Sequence, residues 1–162
     1  MYYGKINKYD IANGDGVRVS LFVSGCRNRC PGCFNPETWD FKYGKVFDDE
    51  ALREIITQMH KPYISGITIL GGDPFEPENL PVVWALISTL KIGFPDKTVW
   101  IYTGYKYETF KDHPIMKDID VLVDGRFIEA EKDITLKFRG SRNQRVIDVQ
   151  ASRLSGSVIT LY

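Results

Sequence analysis

Four short apolar runs alternate with segments of helical periodicity, and a polar turn containing glycine closes each run at once. Val17, Val19, Leu21 and Val23 alternate with Arg18, Ser20 and Phe22, the period of a strand, and the pattern stops at Ser24-Gly25. Ile67 to Leu70 ends in Gly71-Gly72-Asp73-Pro74, Thr98 to Tyr102 in Thr103-Gly104, and Ile119 to Val123 in Asp124-Gly125-Arg126. Between them, Asp48-Asp49-Glu50 opens a helix with Leu52, Ile55, Ile56 and Met59 on one face. A second helix starts near Asn79-Leu80 and turns Val83, Trp84, Leu86, Ile87 and Leu90 inward, until Gly93 and Pro95 end it. A weaker helix runs through Tyr107 and Phe110 as far as Pro114. The rest, including Arg145 to Val149 and Val158 to Leu161, reads as short extended pieces. Strand–helix alternation predicts an α/β fold with a mainly parallel sheet. Functional groups in such folds gather at the carboxyl ends of the strands. The four turns then share one rim.

Composition bounds the function. The chain has 162 residues, with no repeat or linker, so residues 1–162 are expected to form a single domain. A closed eight-stranded α/β barrel takes about 250 residues and does not fit. Lys plus Arg is 21 and Asp plus Glu is 21, so net charge gives no reason to expect nucleic acid or an anionic membrane as partner. No apolar run has the length of a membrane span. Met1-Tyr2-Tyr3-Gly4-Lys5 lacks the pattern of a secretory signal, so a cytoplasmic protein is expected.

The three cysteines, Cys26, Cys30 and Cys33, all follow the first of these runs. An odd number so close together makes a poor disulfide framework. Soft thiolates suit zinc, copper(I) or an iron–sulfur cluster. Structural zinc wants four protein ligands, and His60 and His113 do not stand at zinc-finger spacing. A cluster of four irons normally takes four cysteines, so three leave one iron open to another molecule. Cys30-Pro31-Gly32-Cys33 also reads as a thiol redox pair, which leaves Cys26 unexplained. Alone, Gly71-Gly72-Asp73-Pro74 reads as an ordinary turn.

Cys-x3-Cys-x2-Cys after a strand resembles the signature of the radical S-adenosylmethionine (radical SAM) superfamily. Asn13-Gly14-Asp15-Gly16-Val17-Arg18, Leu21-Phe22-Val23-Ser24-Gly25-Cys26 and Cys33-Phe34-Asn35-Pro36-Glu37-Thr38-Trp39 resemble the activating enzymes of glycyl-radical enzymes. Trp100 to Tyr105, Val123 to Phe127 and Arg139 to Gln144 are similar to the branch that acts on anaerobic ribonucleoside-triphosphate reductase. The resemblance implies an incomplete, open (β/α) barrel of the radical SAM type. It implies a [4Fe-4S] cluster on Cys26, Cys30 and Cys33, with S-adenosyl-L-methionine on the open iron. The expected product is a 5′-deoxyadenosyl radical that generates the glycyl radical of the reductase large subunit, with a reduced donor such as flavodoxin supplying the electron. Gly32, Cys33 and Phe34 would line the adenine. Gly71 and Gly72 would admit close backbone approach, and Asp73 would take the SAM ammonium. Asp124 and Arg126 would lie near the methionyl and ribose groups; without the resemblance they read as solvated charges at a strand end. The basic stretch Lys137, Arg139, Arg142 and Arg145 is expected to meet the reductase or help close over SAM. Trp39, Trp84 and Trp100 are expected in packing.

Overall fold

A computed structural model describes residues 1–162. Seven strands form one sheet: β1 (Tyr2–Asp10), β2 (Val17–Val23), β3 (Lys45–Val46), β4 (Ile64–Gly71), β5 (Thr98–Tyr102), β6 (Val121–Asp124) and β7 (Arg145–Asp148). Their order is β3-β1-β2-β4-β5-β6-β7. Strands β2, β4, β5 and β6 run parallel, whereas β1 pairs antiparallel with β2 and β3, and β7 with β6. The sheet is therefore mixed and open, not mainly parallel. The expectation failed at the flanks. Tyr2–Asp10 has no apolar alternation to read, and the direction of β7 depends on a connection without a helix.

The helices are α1 (Asp49–Met59), α2 (Leu80–Gly93), α3 (Tyr107–Phe110) and α4 (Val149–Ser155). The Asp48 side chain caps α1 by accepting from the Ala51 N–H at 3.0 Å, and Asp49 and Glu50 complement the dipole. Pro81 stands in the first turn of α2, where its missing N–H costs nothing. Asp148 caps α4, and left-handed Gly156 ends it.

The two faces of the sheet divide by strand period. Val19, Leu21, Ile67, Ile69, Val99, Ile101 and Leu122 pack against Ile55, Met59, Val83, Leu86, Ile87 and Leu90 of α1 and α2. Trp84 departs from its expected inward position: it is 37% exposed and stands edge-on to His113. On the other face Trp100, Val121, Val123 and Val146 form a smaller cluster, partly covered by Phe138. Polar groups share that face, since Arg18 pairs in register with Gly66, Ser20 with Thr68, and Thr68 with Trp100. This second face leads up to the cysteines.

Strand β7 is joined to its neighbours by charge. Asp124, wholly buried, takes both Nε and Nη2 of Arg145, and also accepts from the Tyr107 N–H at 2.8 Å. The Arg145 guanidinium also makes two bonds to Glu108, at 3.0 and 2.9 Å. Replacing Arg145 with Met leaves a buried carboxylate with one backbone donor. The expected loss is about 3 to 5 kcal/mol of unfolding free energy, read from urea denaturation; a loss below about 1 kcal/mol, the range of an exposed pair, would show the contact to be superficial.

Candidate active site

The carboxyl ends of β2, β4, β5 and β6 open into one pocket of about 580 Å³. Its lining brings together Cys26, Cys30 and Cys33 with Phe34, Gly71, Gly72 and Asp73. Thr103, Gly104 and Gly125 line it as well, so all four turns reach the same rim. Residues 132–140 contribute Lys132, Ile134, Leu136 and Arg139 from above the second face.

The cysteine loop has no regular secondary structure. The Gly72 N–H donates to the Val23 carbonyl at 2.7 Å and the Asp73 N–H to the Gly25 carbonyl at 2.8 Å, which carries the β2–β4 pairing past the strand ends. On the other side, the Gly25 N–H donates to the Thr38 carbonyl at 2.7 Å. Gly71 has φ +106°, and a Cβ on Gly72 would stand 2.6 Å from the Gly25 carbonyl oxygen and 2.9 Å from that of Thr38. Only glycine fits between these two backbones. Within the loop, the Cys33 N–H closes a turn onto the Cys30 carbonyl at 3.1 Å, and the Asn35 N–H points at the Cys33 Sγ at 3.4 Å.

All three thiols are free. Burial pushes the Cys26 thiol up, against the lowering pull of the Asn28 N–H, and the Asp73 carboxylate pushes it further. No three His, Cys, Asp or Glu side chains meet at one point where a single ion would sit. Three free thiols lining one pocket are donors of the type that an iron–sulfur cluster takes. The pocket is of the size that holds a small ligand. The residues present therefore fit both a cluster and a second small molecule beside it.

Asp73 is buried, and four protein donors surround its carboxylate. Oδ1 accepts from the Phe75 N–H at 2.9 Å and the Thr103 hydroxyl at 2.8 Å. Oδ2 accepts from the Gly104 N–H at 2.9 Å and Asn28 Nδ2 at 3.1 Å. Those donors fill about four acceptor positions, so Asp73 ties the β4 turn, the β5 end and the cysteine loop together. Burial outweighs the donors and lifts its pKa to about 6.

Three of the residues singled out in the sequence stand outside the pocket lining. Gly32 has φ +74° and faces the Glu129 side chain. Asp124 is engaged by Arg145 behind the rim. Arg126 reaches back and donates from Nη2 to the Asn28 carbonyl at 2.6 Å. Of the basic stretch, Arg145 serves the fold. Arg139 donates to the Gln144 carbonyl at 2.6 Å, Arg142 pairs with Asp133, and Lys137 donates to the Tyr162 hydroxyl at 3.1 Å. Conversely, Asn28 lines the pocket without having stood out in the sequence, and Tyr102 and Gln144, inside segments that carry the resemblance, line it without having been given a role. Only the position of Asn28 between two cysteines could have marked it.

Phe34 is 62% exposed at the mouth, with its ring 5.2 Å from that of Phe127 and the Lys132 ammonium 5.3 Å from its centre. No helix is long and apolar enough to cross a membrane.

Comparison with known proteins agrees with this geometry. Residues 12–147 match the family model described as a 4Fe-4S single cluster domain. The chain is 41% identical over 148 residues to the anaerobic ribonucleoside-triphosphate reductase-activating protein of Enterobacteria phage T4, covering 90% of this chain and 93% of that one. It is 39% identical to the protein of that name from Haemophilus influenzae, over 89% of this chain and 96% of the relative. The Escherichia coli K12 protein is also 39% identical, over 90% and 97%. Three thiols on a glycine-walled pocket, found in a chain this similar over most of its length, place it in the family of anaerobic ribonucleoside-triphosphate reductase-activating proteins.

Proposed function

We propose that this chain is the activase that generates the glycyl radical on an anaerobic ribonucleoside-triphosphate reductase. The observation that carries this reading is the convergence of three free thiols and the Gly71-Gly72 wall on one pocket. Cys26, Cys30 and Cys33 would hold a [4Fe-4S] cluster, and the pocket beside them would hold S-adenosyl-L-methionine. Given one electron from a donor such as flavodoxin, they would supply the chemistry that splits S-adenosyl-L-methionine into methionine and a 5′-deoxyadenosyl radical.

The protein's part is binding, orientation and exclusion of water. Gly71 and Gly72 let the main chain approach the ligand where any side chain would intrude. Phe34 and the backbone of Cys33 flank the adenine side, with Gly32 one step behind them against Glu129. Asp73 acts by holding Gly104, Thr103 and Asn28 around the ligand. Asp124 and Arg126 act at one remove, the first by setting the rim at Gly125 and the second by gripping the Asn28 carbonyl. Residues 1–162 make a single domain of the radical SAM type, an incomplete open barrel working in the cytoplasm. The open side admits the glycine-bearing loop of the reductase. Four parallel strands with a polar, partly covered second face support that reading.

Anaerobic reconstitution with iron and sulfide, then reduction and addition of S-adenosyl-L-methionine, is expected to yield 5′-deoxyadenosine. With the reductase present, electron paramagnetic resonance is expected to show a glycyl radical. Cys26→Ala, Cys30→Ala and Cys33→Ala are each expected to abolish cleavage. Tight zinc binding without a cluster, or full activity in any of the three variants, would overturn the assignment.

Asp73 adds a pH dependence to the metal-free protein. Its folded carboxyl stands at about 6, against about 3.9 in an unfolded chain. The folded state therefore holds the proton longer, and stability falls as pH rises through that interval, by up to about 3 kcal/mol. Asp73→Asn removes this slope, whatever its own offset. Urea denaturation across the interval should show wild type declining relative to the Asn variant; parallel curves refute the assignment.

A further inference from the structure

The residue after Cys26 gives both a main-chain and a side-chain hydrogen bond to one buried carboxylate. Glu76 lies just beyond the β4 turn, wholly buried. Its Oε1 accepts from the Arg27 backbone N–H at 2.7 Å, and its Oε2 from Arg27 Nη1 at 2.6 Å. The same guanidinium reaches Glu78 at the surface and lies over the Phe41 ring, 4.5 Å from its centre. Phe41 also closes on Gly25, where a Cβ would stand 2.2 Å from the ring. The Glu78 contact is exposed and contributes little. The Glu76 contact is different, because one buried carboxylate takes the main chain and the side chain of the same residue.

The geometry points to Glu76 as a positioning residue for the iron–sulfur centre: through Arg27 it holds the segment between Cys26 and Cys30 against the pocket before any iron arrives. This rests on the proposed function, which places the cluster on those cysteines. A preformed loop presents its thiols together, whereas a released loop must be ordered during uptake. Groups hydrogen-bonded directly to metal ligands typically change metal affinity about 10- to 100-fold when removed; Glu76 stands one residue further out, on Arg27 beside Cys26. Neither Glu76 nor Arg27 lines the pocket, so both act through the loop.

The test is the rate of cluster uptake by anaerobic apoprotein given ferrous iron and sulfide. It is followed by visible absorption and by iron bound per chain, with circular dichroism and thermal melting of each apoprotein alongside. Glu76→Ala loses both contacts and is expected to slow uptake by about tenfold, the cost of ordering a released segment during uptake. Glu76→Gln and Arg27→Met each keep the bond to the Arg27 N–H and lose the ion pair. They are expected to load at a similar rate, between wild type and Glu76→Ala, and their double variant no more slowly than either. That rescue by Gln separates anchoring from a general loss of fold. If Glu76→Ala does not fold, the two single variants and their double variant decide the matter. Uptake by Glu76→Ala at the wild-type rate, or additive losses in the double variant, would overturn the role of Glu76. Failure of wild type itself to take up a cluster would instead overturn the proposed function.

Discussion

The site depends on a close approach between two backbones. Strands β2 and β4 stop pairing at Val23 and Gly71, yet the chain beyond each keeps hydrogen bonding, Gly72 to Val23 and Asp73 to Gly25. The first cysteine follows directly. A loop with no ladder of its own is thus fixed by a ladder borrowed from the sheet. The arrangement requires the missing Cβ of Gly72, since backbone oxygens on both sides occupy the space a side chain would take. Residues 36–39 complete the frame from the other side, through Gly25 to Thr38.

Buried charges then serve as joints. Asp73 joins the β4 turn to the β5 end and to Asn28, Glu76 joins that turn to Arg27, and Asp124 joins β6 to β7 and α3. Arg18 does the same below the pocket, where all five of its hydrogen bonds go to hydroxyl or carbonyl oxygens of Asp15, Ile67, Thr68 and Thr98. Burial lowers its pKa to about 10. Such groups are costly to bury, and a hydrophobic replacement of similar volume is often as stable. Their return lies in geometry: each accepts or donates several directed bonds, so each sets the relative place of several segments at once.

That distinction explains how much was legible in the sequence. The four strand ends and their turns were visible, because apolar runs closed by glycine are local patterns, and the rim followed from their parallel order. The cysteines were visible by type and spacing. What a side chain does with its lone pairs was not. Asp73 reads as a free acceptor until Thr103, Gly104 and Asn28 are folded onto it. Asp124 reads as a charge at a strand end, free for solvent or a ligand, but the antiparallel register sets Arg145 opposite it. That register exists only once residues 125–144 have turned back. Strand β1 escaped notice for a different reason: much of it is exposed, so nothing forces its sequence to alternate.

The return from β6 to β7 also settles how a short chain covers its second face. A parallel neighbour for β6 would need a crossover, usually a helix on the outer layer. Here residues 125–144 contain no helix beyond a short 3-10 turn at Glu129–Glu131, and they pass over the second face before β7 pairs antiparallel. The segment that would have built the outer layer becomes the cover. Phe138, at φ +57°, lays its ring edge-on to Trp100 with centroids 5.2 Å apart, sealing the apolar floor. A left-handed backbone at a bulky residue is unfavourable, so packing on Trp100 has to hold it. Gln144 braces the same segment, donating to the Gly125 carbonyl and accepting from the Gly140 and Ser141 N–H groups. The pocket is thereby walled by strand ends on one side and by a strap on the other. The strap meets the cysteine loop through side-chain contacts, Arg126 on Asn28, Phe127 and Lys132 on Phe34, and Glu129 against Gly32. Closure of the pocket thus rests on a few side chains, while the placement of its thiols rests on the sheet.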